Sequence, residues 1–356
     1  GAKLYTNDGT TRTDITGSLT ITANAAKRVR SAYVGGKLVQ TNGVDATWTI
    51  ANTGNAAALT NMPWSTCEDI VIHKNLCVAL NTTESATKFP TRLRWCGINS
   101  KTFVIDLTVW NDLDRFEVYP EGAAIVGAAD NFGRLLIFKE DGLYPGSLAF
   151  SGGYIEFVLQ EDQMFRGFRP VAKNSIISRP EFTWCIAQDG AYIVTQSGSG
   201  PIVSQGPNYA VSAQSGYLRV NKVSGDVQDD WNTILNKARF QHAVSYFRES
   251  EQQVRTLLST STNNTAHDIE FVYDWGTGDC WWDYPTTKFN FANSILISSA
   301  EFGWAGDLTG YVYQVNTGST DNSSTINQSV TQSPNDLGLP GTNKTIVWAN
   351  IFHVVP

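Results

Sequence analysis

A short unit of apolar run, tight polar turn and second apolar run recurs along almost the whole chain, and a repeated β unit of this kind restricts the fold to a propeller or an array. Residues 32–39 (AYVGGKLV), 70–80 (IVIHKNLCVAL), 184–194 (WCIAQDGAYIV) and 303–315 (GWAGDLTGYVYQV) are four copies, with looser ones at 125–138 and 243–258. Taking Asp69, Ala123, Glu181, Ala238 and Ile295 as unit starts gives steps of 54, 58, 57 and 57 residues, each close to one four-stranded blade. A shorter first unit begins near Ser31. The chain therefore reads as all-β: a β-propeller of six four-stranded blades over residues 1–316, with a C-terminal β extension or connector at 317–356.

A propeller grows by adding blades around an axis, so 356 residues fit one domain. Hydrophobic content of 42% supplies a core, while charged content of 17% leaves surface polarity largely to Asn, Thr, Ser and Gln. The net charge of -7 argues against a basic nucleic-acid-binding surface, since such binding rests on Lys and Arg neutralising phosphates. No apolar stretch approaches the roughly 20 residues needed to span a bilayer, and the first residues lack the charged start and apolar middle of a signal peptide. Cys67, Cys77, Cys96, Cys185 and Cys280 form neither a C-x-x-C pair nor a metal-spaced cluster, and read as reduced thiols in a reducing cytoplasm. Sequons at Asn81, Asn263, Asn322, Asn327 and Asn343 are then chance matches in a chain rich in Asn, Ser and Thr.

Residues 1–22 read as outer strands around an Asn7-Asp8-Gly9 turn, and are expected to complete the last blade so that the ring has no open edge. One helical stretch stands out, at 225–238, with Asp226 as its cap and Val227, Trp231, Ile234 and Leu235 on one face. Blade six spans about 285–320. A polar stretch (319–333), a Gly/Pro turn (337–341) and a resumed β pattern (345–355) follow.

Chemistry is sparse in this sequence. Asp112, Asp114 and Glu117, or Asp229 and Asp230, are the acid sets a glycosidase would need, but neighbouring acids of this kind read first as solvated surface or helix-dipole partners. The aromatic run 279–284 (DCWWDY) offers a stacking platform for sugars, or buried packing in an outer blade hairpin. His73, His242, His267 and His353 are far apart, and no nucleophile elbow, zincin, P-loop or EF-hand pattern occurs. Turns such as 111–114 (NDLD) are where calcium would be sought. Arg28, Arg30, Arg92, Arg94, Arg166 and Arg169 are interspersed with apolar residues, as strand-face arginines pairing with carboxylates would be. The expectation is a non-enzyme with no catalytic, cofactor-binding or metal residues.

Residues 3–16 (KLYTNDGTTRTDIT), 35–43 (GGKLVQTNG), the stretch from 109–114 (VWNDLD) to 133–138 (GRLLIF), and 306–321 (GDLTGYVYQVNTGSTD) together resemble the β-propeller hub or nozzle proteins of bacteriophage tails. The start of blade five at 226–239, the hairpin at 274–284 and the turn at 337–344 add to the likeness, which covers about residues 1–345. The resemblance implies a virion structural protein, assembled in the host bacterial cytoplasm and lacking membrane insertion. It would form a ring with copies of itself, commonly six, below the head-to-tail connector. Partners would be that connector or adaptor and other tail proteins, with genomic DNA passing the channel during ejection without specific binding. The segment 317–356 would then connect subunits, and its deletion is expected to abolish rings while leaving the propeller folded. The alternative is a carbohydrate-binding or glycoside-cleaving propeller.

Overall fold

The computed structural model describes residues 2–7, 11–22, 28–98, 105–119, 122–151, 154–196, 216–263, 265–285, 288–297, 300–307, 309–315, 320–321 and 324–325. These form a six-bladed β-propeller arrangement of antiparallel sheets. The inner strands are Arg30–Val34, Thr66–His73, Ile125–Asn131, Ile177–Arg179, Val244–Arg248 and Phe289–Ile297. Blades one to five each contain a four-stranded run, and blade six has three strands among the described residues, Phe289–Ile297, Ala300–Asp307 and Val312–Val315. Except for the strand pairs Thr320–Asp321 and Ser324–Thr325, the expected extension at 317–356 lies outside the described residues.

Six blades are present, but their spacing differs from the sequence reading. Successive inner strands begin 36, 59, 52, 67 and 45 residues apart. The hairpins at 32–39 and 70–80 are strands one and two of their blades, whereas those at 184–194 and 303–315 are strands two and three. The central strands Leu76–Glu84, Arg134–Lys139, Phe182–Ala187 and Gly190–Gln196 are buried almost throughout, so the pattern does not say which hairpin of a blade is being read. The inner hairpins of blades one to three turn through pairs with positive φ: Gly35–Gly36 (58° and 76°), Lys74–Asn75 (48° and 64°) and Phe132–Gly133 (55° and 70°). Such turns follow the twist of the strands they join.

Apolar clusters join neighbouring blades. One unites blades one to three around Val39, Val78, Leu93, Leu135 and Ile137; others couple blades three and four around Phe138 and Cys185, four and five around Trp184 and Phe271, and five and six around Tyr246 and Ala305. Buried polar side chains cross the same seams. Asp69, 1% exposed, accepts Arg30 Nε of blade one at 2.7 Å and the Ala128 N–H of blade three at 3.0 Å. Gly127 makes that reach possible, since a Cβ there would lie 2.8 Å from Asp69 Oδ2. His73 sits between Asp130 (3.0 Å) and Ser147 (3.2 Å) of blade three, and Asn131 Nδ2 donates to Arg179 O at 2.8 Å.

Residues 2–22 depart from expectation. Tyr5–Asn7 pairs with Arg12–Asp14, but the segment packs on blade one, where Leu4, Leu19 and Ile21 cover Trp48, Ile50 and Ala56. Ala56 N–H donates to Ile15 O at 2.7 Å, and Thr22 N–H to Asp45 Oδ2 at 2.7 Å. The face of blade one turned away from blade two carries a Trp that needs a cover, and this segment supplies it. The helix is also shorter than expected: Gln228–Thr233 between 3-10 turns, with no side-chain cap, Asp226 lying in the preceding turn. Its apolar side behaves as read, with Trp231 and Leu235 buried and Val227 and Ile234 packed beside them.

Asp69→Ala leaves the Arg30 guanidinium and the Ala128 N–H without their shared acceptor. We expect it to lower the unfolding free energy by about 3–5 kcal/mol, read as a fall in denaturant midpoint at unchanged slope. A midpoint equal to that of the unsubstituted chain would contradict this role.

Candidate interaction surface

The acids singled out in the sequence are tied into the scaffold or dispersed. Glu117 takes Arg92 Nε and Thr91 Oγ1, while Glu84 takes Arg92 Nη1 and Arg94 Nη2 at 2.7 Å each, in a cluster whose Arg94 side chain is 3% exposed. Burial opposes ionisation of Glu84, but hydrogen bonds from Arg94 and Thr82 and the charges of Arg94 and Arg92 outweigh it and hold the carboxyl below its usual range. Arg94 also donates to the Asn111 and Asp112 carbonyls, and Asp114 accepts Asn111 Nδ2 at 2.7 Å, so this cluster and the 111–114 turn brace one another. Asp229 and Asp230 are exposed in the first turn of the short helix, where the helix dipole favours them. Among the described residues no three His, Cys, Asp or Glu groups could hold a metal ion.

The remaining candidates divide similarly. Arg30 binds Asp69, and Arg166 lies over the rings of Tyr119 and Tyr144, 5.5 and 5.9 Å from their centroids. Within the aromatic run, Trp282 packs on Phe271 (5.3 Å) and Trp231 (5.8 Å), whereas Trp281 and Tyr284 point outward. His353 lies outside the described residues. Cys67, Cys77, Cys96 and Cys185 are buried free thiols and Cys280 is half-buried; burial raises Cys67 and Cys96 to about 11 and Cys280 to about 12. Asn81 and Asn263 are buried and hydrogen-bonded, so neither presents an amide to a glycan in the folded chain.

Two features escaped the sequence reading: one is made by segments far apart in the chain, and the other depends on which side of a sheet its neighbours cover. The first is a cavity of about 580 Å³ on the upper face, the end of the ring at which the inner strands begin. Ala123, Glu140 and Asp141 of blade three, Arg169 and Gln188 of blade four, and the 3-10 turn Lys237–His242 leading into blade five surround it.

The second is a sheet face on blade six that the described residues leave largely uncovered. Its strand register sets Phe291 opposite Gly306 and Val312, Asn293 opposite Trp304 and Gln314, and Ile295 opposite Phe302. Side chains directly opposite share a face, so Phe291, Ile295, Phe302, Trp304 and Val312 stand together. Phe291 is 53% exposed, Ile295 46% and Val312 68%, with Tyr311 beside them at 68%. The other face, with Ala292, Ala305 and Tyr313, packs on Val244, Tyr246 and Leu257 of blade five. Blade one follows blade six in the ring, yet residues 2–22 cover the corresponding outer part of its face, leaving Tyr33 of its inner strand 59% exposed.

Blade six is held to blade five by Glu301, which accepts the N–H groups of Glu249 and Ser250 at 2.8 Å each and the hydroxyls of Ser250 and Ser294. Burial opposes its ionisation, but those hydrogen bonds prevail and hold the carboxyl down to about 2. A folded-state value below the unfolded one gives stability that is present above about pH 4.5 and is lost as pH falls towards 2. The expected outcome is that Glu301→Gln flattens this part of the acid unfolding profile; identical profiles would remove Glu301 from the account.

No protein-family model and no curated protein matches this chain. Similar solved structures include the N-terminal domain of Nup159, at 10% identity over 78% of this chain and 72% of that one with a TM-score of 0.40. Saccharomyces cerevisiae Sqt1 matches at 8% identity over 81% and 82% with a TM-score of 0.45. The Cps50 (Swd1) β-propeller domain of Myceliophteria thermophila matches at 11% identity over 82% and 96% with a TM-score of 0.36.

Proposed function

We propose that this chain is a non-catalytic assembly component, a propeller platform that docks copies of itself through blade six, and that its place is the ring of a bacteriophage tail hub or nozzle. The observation that carries assembly is the largely uncovered face of Phe291, Ile295, Phe302, Trp304 and Val312. A contiguous apolar patch of aromatic and β-branched side chains on an otherwise polar molecule marks a protein-binding surface. Docked on a different surface of the next copy, this face would make a head-to-tail contact, which closes into a ring when the rotation per subunit allows. Placement in a phage tail rests on the sequence resemblance. The negative net charge of -7 suits a channel lining along which DNA slides without being trapped.

Native mass measurement with particle imaging tests the reading, which expects rings. Phe291→Asp combined with Val312→Asp replaces exposed side chains, so the monomer should keep its stability within about 0.5 kcal/mol while rings fall apart. A monomeric unsubstituted chain, or rings that survive both substitutions, would overturn docking through blade six.

Carbohydrate binding is favoured by one observation, the outward Trp281 and Tyr284 flanking Asp283 on the outer hairpin of blade five. Aromatic faces beside a carboxylate suit a sugar ring, and glycan-array binding lost in Trp281→Ala would establish it.

A further inference from the structure

Four basic side chains gather on the upper face of this acidic molecule. Arg28 precedes blade one, Arg239 and His242 lie on the 3-10 turn Lys237–His242, and His267 belongs to the turn between the second and third strands of blade five. Three residues per turn place Arg239 and His242 on one side of that 3-10 segment, while Lys237, Ala238, Phe240 and Gln241 line the neighbouring cavity.

Arg28 Nη2 lies 3.0 Å from His267 Nε2. The same Nε2 lies 3.1 Å from the His242 carbonyl, so a donor-only guanidinium and an acceptor-only oxygen compete for one nitrogen, while Nδ1 lies 3.2 Å from Ser259 Oγ. Ser259 gives its own proton to Ala266 O at 2.7 Å and accepts Arg239 Nε at 3.1 Å. One serine therefore fixes both His267 and Arg239. His242 Nδ1 is buried with no hydrogen-bond partner.

The charges in this cluster oppose one another. Burial and then the charges of Arg28 and Arg239 push His267 down to about 3. Burial, Arg239 and Arg28 lower His242, and burial followed by Arg239 brings Arg28 down to about 10. The carboxylate that acts on Arg239 is Asp268, whose oxygens accept the Thr260 N–H and hydroxyl. Elsewhere Arg30, Arg92, Arg94 and Arg255 each hold a carboxylate, and half-buried Arg134 donates to the Gly216 carbonyl at 3.0 Å. Arg28, by contrast, has a neutral imidazole as its described side-chain partner. Removing a cation from water is costly unless an opposite charge meets it.

We propose that Arg28, Arg239 and His242 form a binding site for a small oxyanion of the phosphate class on the upper face. Guanidinium and imidazole donors gathered in one place suit a tetrahedral oxyanion, which offers acceptors on every side. This site is independent of docking through blade six.

The test is a titration of the full chain with inorganic phosphate in phosphate-free buffer, at ionic strength held constant with chloride, read by calorimetry and thermal unfolding. Phosphate is expected to raise the midpoint, by at least ~2 °C at a hundredfold excess over Kd. Arg28→Met keeps the aliphatic stem and removes the repelled charge. It should unfold at or above the unsubstituted midpoint without phosphate and bind phosphate at least ~10-fold more weakly. His242→Gln should weaken binding while leaving the phosphate-free midpoint close to that of the parent. A short DNA duplex that displaces phosphate assigns the site to backbone phosphates, and one that does not assigns it to a free phosphate. No phosphate-dependent rise, or an equal rise in Arg28→Met (an adventitious ion only), overturns the proposal. So does an Arg28→Met chain that unfolds well below its parent without phosphate, since Arg28 would then be structural.

Discussion

The structure depends on how the inner strands are buried. Those of blades two to five lie between two neighbouring blades, so a polar side chain buried on such a strand must find its partner across a seam. Asp69 meets this demand three ways, through Arg30 of blade one, the Ala128 N–H of blade three and the N–H of Ile70 beside it. His73, Asn131 and Trp184 repeat the pattern around the ring, each bonding across a seam to the following blade, and Glu301 bonds back from blade six to blade five. Apolar packing gives the seams their bulk, and these directional bonds fix the register of one blade on the next.

The seams also differ in how far the described residues close them. From blade one to blade six every neighbouring pair shares a packed cluster, and the outer part of blade one is closed by residues 2–22. Blade six then shows an apolar face that the described residues leave exposed. The same two-sided burial that stabilises the other blades makes that face adhesive, which is why it supports an assembly reading more directly than any cavity does. The upper face is organised differently: turns and the 3-10 segment Lys237–His242 cross it, and their half-buried charged groups respond to one another over short distances.

Much of this architecture was legible in the chain. The recurrent apolar hairpins announced a propeller, and the apolar stripe Val227, Trp231, Ile234 and Leu235 marked the helical segment that packs under blade five. The near-constant step between repeats, however, mixed first hairpins with second ones, because strands buried on both faces look alike in sequence. Residues 3–16 read correctly as a hairpin and incorrectly as the closure of the last blade. Nothing in their own pattern distinguishes Trp48 of blade one from an apolar residue of blade six as the surface they cover. The acids at 112–117 looked like a loose surface set, since Arg92, which pairs with Glu117, and Arg94, which holds the Asn111 and Asp112 carbonyls, stand on a different strand.

The sequence by itself determined the class of fold, the approximate number of blades, the free thiols and the sparse, dispersed charge, because these follow from local periodicity and composition. Tertiary structure alone decided which carboxylate meets which guanidinium, where residues 2–22 lie, and that Arg28 stands against His267, 239 positions away. Those outcomes depend on which blades become neighbours when the ring forms. Periodicity within a blade carries no information about the partner across a seam.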